Sequence, residues 1–271
     1  MVAKVVLLAL ALFCAASAAP EGRESRITGG SHVNIQDFPY VASLVYFYPR
    51  PQIYIQRCVG AIVSSWHILT TSFCFSGAVL SNMYVRAGST NSMSGGQLAT
   101  VASVTFHPEY VANPRQNDIA VMLLTSPLPI GSTINALLLP PQGSFISDSQ
   151  SFRVVSWGFE TEAGPQWDTL RSINLDNVNL LTCRAIFAGV GNIAITDSVL
   201  CAARPGNYGT CFGDSGAPMV IGNVLVGLAS EYHKCGTDTY PDVFTRVDRF
   251  TDWIMAVAQA PREGVPVRVA A

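Results

Sequence analysis

From Val41 onward the chain breaks into short runs rich in Val, Ile, Leu and Tyr, among them VASLVYFY, GAIVSSWHILTTS, MYVRAG, ATVASVTF and DIAVMLL, separated by clusters of Gly, Pro, Asn and Ser. Runs of this length bounded by turn residues read as β-strands, and many of them in succession predict a sandwich or a barrel. Strand-like segments stop around LLLPPQGSFISDSQ, where Pro140-Pro141 marks the best internal boundary, and resume at FRVVSWG, APMVIG and VLVGLAS. Two similar β halves fit this layout, and 271 residues accommodate one all-β unit of two packed barrels as easily as two separate domains. One helical pattern stands out: in VDRFTDWIMAVAQ, residues Val247, Phe250, Trp253, Ile254 and Val257 fall on one face. The tail from Pro261 to Ala271 is expected to be mobile.

The first residues place Lys4 before an apolar run from Val5 to Ala16, and Ala16-Ser17-Ala18 offers small residues for cleavage, so residues 1–18 read as a secretory signal peptide. Residues 19–26 then end in a basic residue and read as a propeptide. No later segment reaches the roughly 20 apolar residues of a membrane span, and the expectation is a soluble, extracellular protein. Removing Cys14 with the leader leaves Cys58, Cys74, Cys183, Cys201, Cys211 and Cys235. In an oxidising compartment six cysteines favour three disulfides over metal binding, and no CxxC pair or histidine cluster argues for a metal or other cofactor.

Hydrophobic content of 49% with 13% charged residues excludes a disordered chain. The net charge is -2 with no run of Lys or Arg, which removes nucleic acid and anionic membranes from the partner classes and leaves proteins or peptides. The cations are fourteen arginines against only Lys4 and Lys234. Arg keeps its charge above about pH 12 whereas Lys titrates near 10.4, so an alkaline medium accounts for the bias, as does compositional drift.

The sharpest chemical signal is CFGDSGAP at 211–218, with Ser215 between glycines just after Asp214. Glycines let the backbone turn so that the N–H groups of Gly213 and Ser215 converge on one point, which an oxyanion hole requires. This segment closely resembles the nucleophile loop of the chymotrypsin and trypsin family. ITGG after Arg26, WHILTTSFC, NDIAVMLL and SWG at 156–158 match that family in order and spacing, and the resemblance covers residues 27–258. It implies two packed six-stranded antiparallel barrels, about 27–140 and 141–245, a helix about 247–258, and a tail 259–271.

The resemblance further implies the pairs Cys58–Cys74, Cys183–Cys201 and Cys211–Cys235, a minimal set similar to that of arthropod members. It implies that an activating trypsin-like protease cuts after Arg26, freeing the Ile27 amino group to insert beside the Asp214 carboxylate and order the oxyanion loop. Asp118 takes the acidic triad position. The histidine it should orient is missing, because where the family has TAAHC this chain reads Thr70-Thr71-Ser72-Phe73-Cys74. Phenylalanine has no lone pair and no titratable proton, so Phe73 can neither accept the Ser215 proton nor pass it to a leaving amine.

The other histidines are poor substitutes. His32 lies near the mature start and His107 is in a surface-turn context, both read as solvated residues, and His67 is six residues before Phe73 on the same strand, about 20 Å away. His233 lies near the pocket but on the side away from Asp118. The pocket itself departs from the family: Gly209 is at its base, Asp242 takes a wall position usually held by glycine, as in brachyurin-type collagenolytic members, and the edge strand is Ser230-Glu231-Tyr232. Tyr232 in place of glycine is expected to narrow the entrance, and Glu231 replaces an aromatic residue. The reading is a non-catalytic homologue acting as a decoy or cofactor for proteases or their inhibitors; the alternatives are a digestive or collagenolytic serine endopeptidase of weak activity and a degenerate copy.

Overall fold

A computed structural model describes residues 28, 30–259 and 264–271. The leader, residues 19–26 and Ile27 lie outside the described residues. Six strands of the first half, β1 (Val41–Tyr48), β2 (Ile53–Ile62), β3 (His67–Thr70), β4 (Met83–Ala87), β5 (Gln97–Phe106) and β6 (Ala120–Leu124), close into an antiparallel barrel in the order β1-β2-β3-β6-β5-β4. The second half repeats that order with β7 (Ser151–Ser156), β8 (Arg171–Val178), β9 (Val199–Ala203), β10 (Pro218–Ile221), β11 (Val224–Glu231) and β12 (Asp242–Arg246). Pairing of β8 with β9 closes it, and the short strand Ser31–His32 adds to the outside of β8. The expected fold of two six-stranded barrels is therefore the observed one.

The alternation read from the sequence is what closes each barrel: in β4, Met83, Val85 and Ala87 are buried while Tyr84 and Arg86 are half-buried. One apolar cluster, including Val41, Val59, Phe152, Trp157 and Phe244, joins both barrels, and a second, around Leu44, Ile62 and Met122, fills the first. Disulfides Cys58–Cys74, Cys183–Cys201 and Cys211–Cys235 form in the implied pairing.

Two elements differ from the sequence expectation. A two-turn helix, α1 (Leu180–Phe187), follows β8, with the Asn179 side chain accepting from the Leu181 N–H as its cap. The apolar content of that segment lacks a long period, and its burial is limited to Cys183 and Phe187. The second difference is the chain end. Beyond the C-terminal helix α2 (Thr251–Val257), residues 264–271 are docked rather than mobile. The Val265 N–H donates to Ser65 Oγ at 3.0 Å, the Leu139 N–H donates to the Arg268 carbonyl at 2.8 Å, and the Ala270 N–H donates to the Leu139 carbonyl at 2.8 Å. Val267 is buried in the shared core. Val265, Val267 and Val269 alternate along this segment, a strand period that was legible in the sequence. Among the described residues no helix is long and apolar enough to cross a membrane.

Candidate active site

The cleft between the barrels, about 670 Å³, is lined by Phe73, Ser215, Gly213, Arg115, Glu231 and Tyr232 among others. Ser215 is held in it by backbone bonds to both halves. The Val59 N–H donates to the Ser215 carbonyl at 2.9 Å, and the Gly216 N–H donates to the Ala229 carbonyl at 2.7 Å. Gly213 and Gly216 adopt φ of 83° and 82°, the left-handed region that glycine enters without a Cβ penalty. Among the described residues the Gly213 and Ser215 N–H groups have no acceptor, leaving two donors at the cleft.

Asp118 precedes β6 and is buried. Its Oδ1 accepts from the Phe73 N–H at 2.9 Å and its Oδ2 from the Ser230 hydroxyl at 2.7 Å. Burial pushes this carboxyl above the ordinary range, and the bonds from Ser230 and Phe73 pull it back. Both carboxylate oxygens thus have a donor, and the side chain nearest in sequence to the first of them is the Phe73 ring. Phe73 lies in a 3-10 turn, Ser72–Phe75, not on the strand of His67, and its ring is 37% exposed toward the cleft.

All four histidines have contacts elsewhere. The His67 ring Nδ1 is 2.9 Å from Ser64 Oγ, and burial holds its pKa below the usual value. His107 is not simply solvated: its ring stands edge-on to Phe250 and Trp253, 5.0 Å from each. His32 meets Arg171 at 2.7 Å, and His233, though it lines the cleft, packs 4.3 Å from the Tyr240 ring.

Three site residues escaped the sequence reading. Arg115, on a ribbon formed by Val111–Ala112 and Arg115–Gln116, places its guanidinium 3.4 Å from the centre of the Phe73 ring. It pairs with Glu231 at 3.6 Å and donates through Nη1 to the Ser230 carbonyl. The ladder between β11 and β12 slips at Ser230, and this bulge frees the residue to serve Asp118 and Arg115 at once. Burial raises the Glu231 carboxyl to about 7 against the opposing pull of Arg115. Gln56 Nε2 donates to the Gly213 carbonyl at 2.9 Å, tying the loop that carries Ser215 to β2. A lone amide in the run IYIQRCV was a signal for Gln56. Phe212, exposed beside Gly213, was overlooked: its ring is 5.7 Å from Tyr232, edge to face.

Gly209 and Asp242 do not line the cleft. Asp242 is buried beneath Gly209, where a Cβ would stand 2.8 Å from Oδ2, and that oxygen accepts from the Thr210 N–H at 2.6 Å. Burial raises its carboxyl well above the usual range. Asp214 is also buried, its oxygens accepting from the Gly158 and Cys211 N–H groups at 2.8 Å each, and burial lifts it to about 7. One residue beyond Ile27, the Thr28 carbonyl accepts from the Gly209 N–H at 3.1 Å and its hydroxyl donates to the Glu160 carbonyl at 3.1 Å. Among the described residues no group of three His, Cys, Asp or Glu could hold a metal ion.

Comparison with known proteins agrees with this architecture. The family model described as Trypsin matches residues 27–254. The chain is 33% identical to alkaline trypsin B of Manduca sexta over 253 residues, covering 93% of this chain and 98% of that protein. It is 35% identical to trypsin CFT-1 of Choristoneura fumiferana, covering 93% and 99%, and 34% identical to trypsin alpha of Drosophila melanogaster, covering 95% and 99%.

Proposed function

Because the chain belongs to the trypsin family of serine proteases, we propose that it is a secreted member that binds proteins or peptides without cutting them. The observation that carries this reading is the phenylalanine ring at the base position: Asp118 is cradled for a partner that cannot take a proton, and every histidine is engaged elsewhere. The partners are proteases, their inhibitors or substrate-like segments, toward which the chain acts as decoy or cofactor. The sequence of residues 1–18 and the three disulfides support export. The arginine-rich composition, together with relatives named alkaline trypsins, supports an alkaline medium. The two N–H donors that have no acceptor among the described residues support a second reading, residual hydrolysis, since an oxyanion hole and binding alone retain about 10³–10⁴ over water in such enzymes.

Labelling with a small fluorophosphonate after cleavage at Arg26 tests the reading. Ser215 is expected to label at least about 10³ times more slowly than the serine of active trypsin, the order expected when a triad base is absent. Labelling at a trypsin-like rate sinks the non-catalytic assignment.

Cleavage after Arg26 is also expected to act as a conformational switch, because it supplies an ammonium to a buried carboxylate. Without that ammonium, Asp214 has a folded pKa of about 7, above its unfolded value of 3.8. The neutral form is favoured by folding, so the stability is full below the unfolded pKa and is lost as pH rises through about 7. With the ammonium bound, the carboxylate is the favoured form and this loss disappears. Urea midpoints at pH 5 and pH 7.5 should therefore fall more steeply for the uncleaved protein. Glu231 titrates in the same range but is common to both forms. Equal pH slopes would mean the switch has decayed.

A further inference from the structure

Arg115 belongs to none of the features that define the family reading, yet its guanidinium is engaged on its face, side and end. The Phe73 ring lies 3.4 Å from it, Glu231 pairs with it at 3.6 Å, and the Ser230 carbonyl accepts from Nη1. These partners come from separate elements: the turn after β3 and the bulged end of β11, with Arg115 itself on the ribbon before β6. The side chain therefore joins the two barrels at the cleft, over the place where the Phe73 N–H and the Ser230 hydroxyl share the Asp118 carboxylate. The Ser230 carbonyl lies at the bulge of β11 and lines the same cleft as Ser215; a strand carbonyl facing a cleft is the kind of acceptor an added peptide strand would use, and this one is already taken by Arg115.

We infer that Arg115 is an internal bolt that closes the cleft to extended peptides, so that a substrate-like segment enters only after the guanidinium leaves Glu231 and Ser230. The inference rests on the proposal that this protein binds rather than cuts, and it specifies how that binding is regulated. It also links two departures from an active site. A guanidinium stacks favourably on a phenyl ring, but an imidazolium in the same place would meet a like charge at contact distance. The ring that cannot act as a base is thus the platform the bolt requires. Planarity matters as well as charge, since a lysine ammonium cannot lie flat on the ring while reaching both oxygen partners.

Binding of pancreatic trypsin inhibitor, which presents an extended loop to trypsins, provides the test. Calorimetry on protein cleaved after Arg26 should show affinity at least tenfold higher for Arg115→Ala than for the natural chain. Glu231→Gln, which keeps the shape of the clamp and removes its charge, should move in the same direction. Arg184→Ala, which breaks an exposed pair with Asp197, should leave affinity unchanged. Thermal unfolding checks that each variant is folded, and should Arg115→Ala prove unfolded, Glu231→Gln carries the test alone. Equal affinity of the folded variants and the natural chain, including no measurable binding by any of them, overturns the bolt. Rapid fluorophosphonate labelling of the natural chain would instead overturn the non-catalytic reading, so the two failures are distinguishable.

Discussion

Phe73→His is expected to raise the rate at which a small fluorophosphonate labels Ser215 by several orders of magnitude. The loss of the triad histidine alone costs about 10⁶ in turnover in subtilisin, roughly 8 kcal/mol of barrier, which bounds the gain. The rest of the constellation is in place: Asp118 already accepts from the residue 73 N–H at 2.9 Å, and Gly213 and Ser215 line the same cleft. Recovery should stay below that bound, because Arg115 lies against the ring at this position and opposes the imidazolium that forms during transfer. Peptide hydrolysis should recover much less than labelling, since Tyr232 and Arg115 obstruct a long substrate but not a small reagent. Adding Tyr232→Gly should then increase peptide turnover more than labelling. A folded, cleaved single mutant that labels no faster than its parent would end the view of an otherwise preserved site. If it cleaved peptides efficiently, the obstruction argument would fail while the missing-base argument survived.

The largest structural effect is expected from Gly216→Ala. A Cβ there would stand 2.1 Å from the Val59 carbonyl oxygen and 2.2 Å from Thr70 Oγ1, at a φ of 82°. Neither neighbour can yield cheaply, because the Val59 carbonyl already accepts from Thr70 Oγ1 at 2.8 Å and the Val59 N–H holds the Ser215 carbonyl. Left-handed backbone alone costs an alanine about 1–2 kcal/mol. Forced movement at the barrel seam should bring the total to about 4 kcal/mol, at the exceptional end for one substitution. Gly222→Ala is the control, since its φ is 59° but a Cβ there meets nothing within 4 Å. Urea unfolding of both variants separates the contributions. Equal losses would show that backbone conformation accounts for everything and the close packing for nothing.

The parts legible in the sequence are those whose signal is local. The glycines around Ser215 announce a turn, the Asp118 segment runs directly into a strand, and the strand runs announce two barrels. Phe73 was legible for the same reason, being one letter in a short motif. Arg115 was not, because nothing near it in the chain differs from an ordinary surface arginine. Its partners are 42 residues before it and 116 after it, and only closure of both barrels brings them together. Asp242 shows another limit: its position in the pocket region could be read, but whether its carboxylate faces a ligand or turns inward onto Thr210 depends on the packing of Gly209.

The docked chain end has a consequence in time. The bond between Val265 and Ser65 closes a separation of 200 residues, and Leu139 in the connector takes its partners from Arg268 and Ala270. A ribosome adding about 5–20 residues per second needs roughly 10–40 s to make that length of chain. The barrel is complete only once Leu124 has been made, and the 141 residues from there to Val265 take about 7–28 s, during which its Ser65 loop is uncovered and the surface destined for Val267 is open to chaperones or to neighbouring chains. The half of the protein that is synthesised first is thus among the last to be completed.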